Sequence, residues 1–410
     1  MSRSYRVVNS EEQFLLYIGG CCGTGKTQII NAILFTSELL DLRDKCYVTA
    51  STGTAASHIK GEIVHSAVGI TGKDKSSILV NKLSTLQNLL HHTDLFIMDE
   101  ISMVSTKLLG QIDKNCAQIF ELPTTGSAVL GGIPVVLFFG DFYQFPSVGG
   151  DPLWKPKKPD AISDLEREGL NLWRCFKLVV ILTECLRQKG DIVYQGILER
   201  ARNVSLTQED VDILNNCTVQ YCKSNGKLLL YLSITTTNSL RHELNFLHVV
   251  DFDRASEQKV YIFAGSHKPV AFKTSSSKDP KLFQKPTDIS FLRILEIQDT
   301  NELKGSGFLL YAKGMPVMCL SNVSTRSGVV NGMCGTATCV VPNPEGKWLS
   351  SIFSVLSDSR LALFFPVDDL FVLCDSPPRF MLVEHNRIGA WPFTSLSTDL
   401  TPLYPIASRS

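Results

Sequence analysis

No run in this sequence approaches the ~20 consecutive apolar residues that a membrane-spanning helix requires. The opening residues, MSRSYRVVNSEEQ, also lack the apolar stretch of a secretory signal, so neither a membrane span nor export by that route is expected. Neither sign of charge is in excess: Lys and Arg total 40, as do Asp and Glu. The chain as a whole is therefore no basic polyanion binder, and any nucleic-acid contact must come from a local channel. The one basic cluster, Lys155, Lys157 and Lys158, lies among prolines and reads as a solvated loop. Low-complexity tracts and internal repeats are missing, which excludes compositionally disordered and solenoid classes. The 12 cysteines are scattered along 410 residues, a usage that fits free thiols in a reducing compartment rather than a disulfide framework. Cys217/Cys222 and Cys334/Cys339 lack zinc-ribbon spacing and a nearby His, so no structural metal is expected from them. Asn-x-Ser/Thr sequences at Asn203, Asn216 and Asn322 carry little meaning without a secretory signal.

What remains is the composition of an ordinary folded protein, long enough for two domains with their own cores. In the first ~185 residues short apolar runs recur: Phe14–Ile18, Cys46–Val48, Leu95–Met98, Val135–Phe139 and Val179–Leu182. They are continuous rather than alternating, as parallel strands buried on both faces are. Helix-length segments such as Gln28–Leu40 and Ser76–Leu90 separate them, which predicts a doubly wound α/β sheet. Ligands of such sheets sit at the carboxyl ends of the strands. The second half is less regular. Leu228–Ile234 reads as a further strand, Thr274–Pro280 as a loop, and the short strand-like segments from Leu309 onward as a small β-rich insertion, about 309–380.

Gly20-Cys-Cys-Gly23-Thr24-Gly25-Lys26-Thr27 matches the phosphate-binding loop G-x₄-G-K-[ST] in full. Its glycines let backbone N–H groups wrap phosphates, Lys26 brings a positive charge to the β- and γ-phosphates, and the Thr27 hydroxyl is placed to ligate Mg²⁺. The helix that starts there adds its positive dipole end. ATP with Mg²⁺ is the expected ligand. Cys21 and Cys22 have two readings: small residues filling a tight turn, or thiols that make nucleotide binding oxidation-sensitive. Asp99-Glu100 closes the run Leu95–Met98. Beside a phosphate loop, Asp99 can hold Mg²⁺ through water, and Glu100 can orient and deprotonate an attacking water.

Further segments fit a larger pattern: Thr52-Gly53-Thr54-Ala55-Ala56 with Ile59, Gly61 and His65-Ser66; Asp99-Glu100-Ile-Ser102-Met103-Val104; Gly140-Asp141-Phe142-Tyr143-Gln144-Phe145-Pro146; and Leu182-Thr183-Glu184-Cys-Leu-Arg187-Gln188. Later come Thr237-Asn238 with Asn245, Gly314-Met-Pro-Val317-Met318 and Val330-Asn331-Gly332-Met-Cys-Gly335-Thr336. Together these resemble the PIF-type helicases, the RecD-like branch of helicase superfamily 1, from about residue 14 to 340, in wording nearest the helicase-like genes of fungi.

The resemblance implies a RecA-like ATP-binding motor domain over 1–188. It also implies an incomplete second RecA-like domain over 189–410 that carries a small SH3-like β insertion. It implies an ATP-dependent DNA helicase, a hydrolase that moves 5′ to 3′ on single-stranded DNA. A nuclear or mitochondrial setting in DNA repair, recombination and telomere maintenance follows from the same family. Thr52, Gly53, His65, Phe142, Tyr143 and Asn331 are the implied DNA contacts. An exposed aromatic among Phe142, Tyr143 and Phe145 could stack on a base while the others pack in the core. His65 is read either as a DNA contact or as a buried, hydrogen-bonded histidine. Gln144 is the implied γ-phosphate or water sensor, with a turn amide as the plainer reading. Arg187 is the implied arginine finger.

Two family segments are not matched. Asn9 and Gln13 stand where an adenine-reading motif is sought, but they lie too close to Gly20 for the helix that separates the two in the family. No His-Lys-x-Gln-Gly-x-Thr segment occurs; the one Gln-Gly pair, Gln195-Gly196, lies far upstream, and Pro402-Leu-Tyr-Pro405 looks like the stretch that precedes that segment. The expectation is a chain truncated before motif VI, with a relative that binds ATP and single-stranded DNA without unwinding as the alternative.

Overall fold

A computed structural model of the chain describes residues 10–70, 78, 80–121, 127–154, 162–225, 233–256, 259–265, 267–268, 307–320, 329–346, 348–349, 371–374, 376–384, 400–403 and 408–409. The chain divides into two compact units, residues 1–207 with 320–333, and residues 208–319 with 334–410.

The first unit begins with β1 (Phe14–Gly20), α1 (Lys26–Leu39), β2 (Cys46–Ala50), α2 (Gly53–His58), β3 (Glu62–Ile63), α3 (Val64–Ala67) and α4 (Val80–Leu90). It continues with β4 (Leu95–Asp99), α5 (Thr106–Ile119), β5 (Val135–Gly140), α6 (Asp164–Cys175), β6 (Leu178–Leu182) and α7 (Ile192–Arg202). Its six strands form one sheet in the order β3-β2-β4-β5-β1-β6, and every pairing is parallel. The apolar runs are continuous because alternate side chains feed two cores. Leu15, Tyr17, Phe96, Met98, Val136 and Phe138 face the side covered by α4, α5 and α6. Ile18, Val48, Ala50, Ile97, Leu137 and Phe139 face the side that holds Ile30 and Leu34 of α1 and Ala56 of α2.

The edge strand departs from the reading of a strand buried on both faces. Among the described residues β6 pairs only with β1, and Leu178, Val179, Val180 and Ile181 are each about half exposed. Its apolar run reflects β-propensity at an edge, where no second neighbour is required.

Helix starts follow local chemistry. The Ser105 hydroxyl accepts the Leu108 N–H at the start of α5, Ser163 and Glu166 form a capping box on α6, and Asp191 accepts the Tyr194 N–H on α7. Helices α5 and α6 approach through Gly110 and Gly169, where an added Cβ would overlap the carbonyl oxygens of Leu165 and Thr106 respectively. Gln13 is buried, and its amide is committed: Nε2 donates to the carbonyls of Val129 (3.0 Å) and Ile133 (2.7 Å), while Oε1 accepts the Val129 N–H (2.9 Å). Gln13 therefore pins the segment before β5, which accounts for it without an adenine; Asn9 lies outside the described residues.

The first unit runs through Thr207, past the sequence boundary at 188, because α7 is tied back to the segment after β5 by Arg202. The second unit holds α8 (Gln208–Asn215), α9 (Val219–Ser224), α10 (Asn238–Ser256), β7 (Val260–Ala264), β8 (His267–Lys268), β9 (Phe308–Tyr311) and β10 (Pro316–Met318). Then follow β11 (Cys334–Val341), β12 (Trp348–Leu349), β13 (Phe371–Cys374), β14 (Phe380–Glu384), β15 (Leu400–Leu403) and β16 (Ser408–Arg409). Its sheets are β12-β13-β7-β9, β10-β11-β14-β15 and the pair β16-β8. The strands of 309–380 are thus divided between two sheets, and Phe246, Ile262, Phe263, Tyr311 and Val383 share one core. Of the strand read at Leu228–Ile234 only Ser233 and Ile234 are described, and neither is in a strand. The Lys155 cluster and Thr274–Pro280 lie outside the described residues. No helix among the described residues is long and apolar enough to cross a membrane.

Asp113 of α5 accepts the Leu130 N–H (2.6 Å), and burial pushes its carboxyl up to about 6. The folded-state value exceeds the unfolded one, about 4. The native state therefore holds this proton more tightly, and stability falls as pH rises from about 4 to 6. Asp113→Asn should remove that component, leaving a flatter urea midpoint across pH 4 to 7; an undiminished slope would show that other groups carry it.

Candidate nucleotide-binding site

The parallel register brings the turns after β1, β4, β5 and β6 to one edge of the sheet. Gly19 pairs with Gly140 on one side and Ile181 on the other, and Met98 pairs with Phe138. The loop after β1 turns with Gly23 at φ +90° and Gly25 at φ +92°, values that L side chains resist. A Cβ on Gly20 would meet Thr24 Oγ1 at 2.6 Å, and one on Gly23 would meet the Arg187 Cβ at 2.6 Å. A Cβ on Gly25 would meet nothing within 4 Å, so the loop is open there. This is a backbone cradle of the kind that phosphate requires. Thr24 is buried, and its hydroxyl donates to the Cys21 carbonyl (2.9 Å). Lys26 is buried at the start of α1 and donates to the carbonyls of Gly20 (2.6 Å) and Cys21 (3.2 Å), which aims its ammonium along the loop. Thr27 follows on the first turn of α1.

Asp99 ends β4 almost fully buried, and its Oδ1 accepts the Glu100 N–H (2.9 Å). Glu100 itself has φ 57° and ψ 47°, a left-handed conformation uncommon for a non-glycine residue and of the kind that clusters at functional sites. Burial pushes both carboxyls above the usual range; Asp99 adds to the effect on Glu100, while Lys26 opposes it on each. Among the described residues, the Ser51 and Ser102 hydroxyls, from the turns after β2 and β4, are buried without a protein partner. No group of three or more His, Cys, Asp or Glu able to hold a metal occurs among the described residues. The donor set of Thr27 and Asp99 nevertheless suits Mg²⁺, which is bound by one or two protein oxygens together with phosphate and water.

After β5, Asp141 is 2% exposed and receives the Arg202 guanidinium in a bidentate pair, Nη1 to Oδ2 at 2.7 Å and Nη2 to Oδ1 at 2.6 Å. Burial alone would raise Asp141; the hydrogen bonds from Arg202 and the Tyr143 N–H hold it below the usual carboxylate range. Gln144 Nε2 donates to the same carboxylate at 3.4 Å. Phe142 is half-buried and packs against the core, its ring 5.4 Å from Tyr17 and 5.3 Å from Trp173. Alternation after the strand turns it inward and leaves Tyr143 74% and Phe145 84% exposed.

After β6, the Leu186 and Arg187 N–H groups donate to the Gly23 carbonyl, and Arg187 Nη1 donates to Cys22 Sγ at 2.8 Å. Arg187 therefore lies against the phosphate loop of its own unit. The Cys185 thiol lies 3.3 Å from the Cys22 carbonyl, and burial together with Cys185 raises the Cys21 thiol. The Thr52 hydroxyl caps α2 by accepting the Ala55 N–H, Gly53 is buried, and the Thr54 hydroxyl donates to the Asn331 carbonyl. His65 is exposed on α3, although its surroundings lower its pKa through burial. Arg202 and Cys185 were missed by sequence reasoning; a single Arg late in a helix and one Cys of many carry no signal until the fold is known.

Residues 3–205 match the PIF1-like helicase family. Over 198 residues the chain is 31% identical to the ATP-dependent DNA helicase PIF1 of Saccharomyces cerevisiae (strain YJM789), covering 47% of this chain and 22% of that protein. It is 34% identical over 242 residues to the ATP-dependent DNA helicase Pif1 of Psychrobacter sp. (strain PRwf-1), covering 57% of this chain and 35% of that protein. The chain thus spans 22% to 35% of the length of these two relatives. In fold it is similar to a crystal structure of Bacteroides Pif1 bound to ssDNA, with TM-score 0.51 and 20% identity, covering 96% of this chain and 76% of that one.

Gly23→Ala would force a side chain into the left-handed region and against Arg187. It should weaken binding of a non-hydrolysable ATP analogue by about fivefold or more in calorimetry, since such strain costs about 1–3 kcal/mol. Unchanged affinity would refute the reading of this turn as a phosphate cradle.

Proposed function

We propose that this chain, whose residues 3–205 match the PIF1-like helicase family, is an ATP-dependent DNA helicase motor that couples hydrolysis to movement along single-stranded DNA. The observation that carries this reading is the meeting of the phosphate loop, Asp99-Glu100, Asp141–Gln144 and Arg187 at one edge of a parallel sheet. Gly20, Gly23, Thr24 and Gly25 shape the loop that takes the phosphates, and Lys26 neutralises the β- and γ-oxygens. Mg²⁺, held by Thr27 and Asp99, would draw off charge that develops on those oxygens. Glu100 orients the attacking water and takes its proton, and the left-handed backbone at Glu100 presets its direction. Gln144 reads the γ-phosphate, and Arg187, already against the loop, supplies positive charge to the transition state.

For DNA, Tyr143 offers the exposed ring for base stacking, with Thr52, Gly53, His65 and the Asn331 segment as further contacts. The first unit acts as the ATP-binding motor and the second as a further RecA-like domain. Kinship with PIF1 and with the RRM3 helicase of Saccharomyces cerevisiae (strain ATCC 204508 / S288c), 31% identical over 220 residues, extends the proposal to DNA repair, recombination and telomere maintenance in nucleus or mitochondrion.

The test is ATP hydrolysis by the purified chain with and without single-stranded DNA, with Lys26→Ala as the blank. Stimulation of about tenfold or more that vanishes in the variant is expected. Equal turnover with and without DNA contradicts the proposal, and nucleotide and DNA binding without turnover would assign the chain to a binding role.

A further inference from the structure

We infer that Arg202 is a positioning residue: through Asp141 it holds Gln144 in place to distinguish a triphosphate from a diphosphate. The inference rests on the proposed nucleotide site. Asp141, itself buried, sits at the centre of a small part-buried network. Its two carboxylate oxygens accept from both Arg202 nitrogens, from the Tyr143 N–H (3.1 Å) and from Gln144 Nε2 (3.4 Å). The Gln144 N–H also donates to the Asp141 carbonyl (2.9 Å), so the turn from 141 to 144 is organised around one side chain. Arg202 adds a second hold, because its guanidinium lies over the Tyr143 ring, 4.2 Å from the centroid.

Arg202 is suited to this by chemistry as well as place. A guanidinium presents a rigid planar fork that matches both carboxylate oxygens, so it fixes the rotation of Asp141 and not merely its charge. A lysine would neutralise the carboxylate and leave its rotation free. With Asp141 fixed, the weakest bond of the network, that from Gln144 Nε2, is the one free to exchange for a phosphate oxygen. The segment carrying Arg202 is also anchored at its other end: Arg187 and Leu186 lie on the phosphate loop, and α7 follows from Asp191 to Arg202. One stretch of chain therefore clasps the loop at its start and the Gln144 turn at its end.

The experiment compares wild type, Arg202→Lys and Arg202→Ala for binding of Mg²⁺-AMP-PNP and of ADP, with thermal melting of each. Arg202→Lys is expected to lower the preference for the triphosphate analogue over ADP by about tenfold, the worth of one hydrogen bond to a charged group. Its ADP affinity should stay within about twofold of wild type, and adding Gln144→Ala to it should cause little further loss, as shared action implies. A preserved preference in Arg202→Lys overturns the inference. So does a parallel loss of both affinities with a melting temperature as low as that of Arg202→Ala, which would mark Arg202 as structural only. Because this readout needs no turnover, a lost preference in a chain that DNA fails to stimulate would sustain the role of Arg202 while the helicase reading fell.

Discussion

Parallel pairing of β1 with neighbours on both sides is the constraint on which the site depends. Strands that run the same way end at the same edge, so the turns that follow them meet. Gly19 is level with Gly140 and Ile181, which sets the phosphate loop between the turn carrying Asp141 and the segment carrying Arg187. Reversing any one strand would carry its polar turn to the far edge. The double burial of the runs is the energetic counterpart: Phe96, Ile97, Met98, Phe138 and Phe139 are each at most 1% exposed, and they hold the register that the chemistry requires.

That edge concentrates charge under partial burial. Asp99, Glu100 and Asp141 lie close enough to influence one another, and Lys26 and Arg202 offset them unequally. Asp141, with a bidentate partner, remains an anion below the ordinary range. Asp99 and Glu100, without such a bidentate partner among the described residues, are raised by burial. The contrast fits the proposed division of tasks, in which Asp141 holds a turn and Asp99 and Glu100 serve metal and water.

Much of this was legible in the sequence, and the boundary of legibility is physical. Strands β1, β2, β4 and β5 announced themselves because burial on both faces imposes unbroken apolar runs, and β6 through its β-prone residues at the edge. The phosphate loop and Asp99-Glu100 could be read because their chemistry depends on neighbours in the chain. What escaped depends on partners far apart in sequence: Arg202 with Asp141, Cys185 with the loop, and Gln13 with Val129 and Ile133. Phe142 and Tyr143 could not be told apart until the strand's alternation turned one inward, and the exposure of β6 followed from its place at the sheet edge rather than from its residues.

The proposed motor makes nucleotide state and grip on DNA one equilibrium. Its most direct test is the affinity of the purified chain for a single-stranded oligonucleotide, measured by fluorescence anisotropy with saturating Mg²⁺-AMP-PNP and then with saturating ADP. A coupled motor should show affinities that differ by about fivefold or more, with the oligonucleotide altering nucleotide affinity by the same factor. Identical DNA affinity in the two nucleotide states would contradict it.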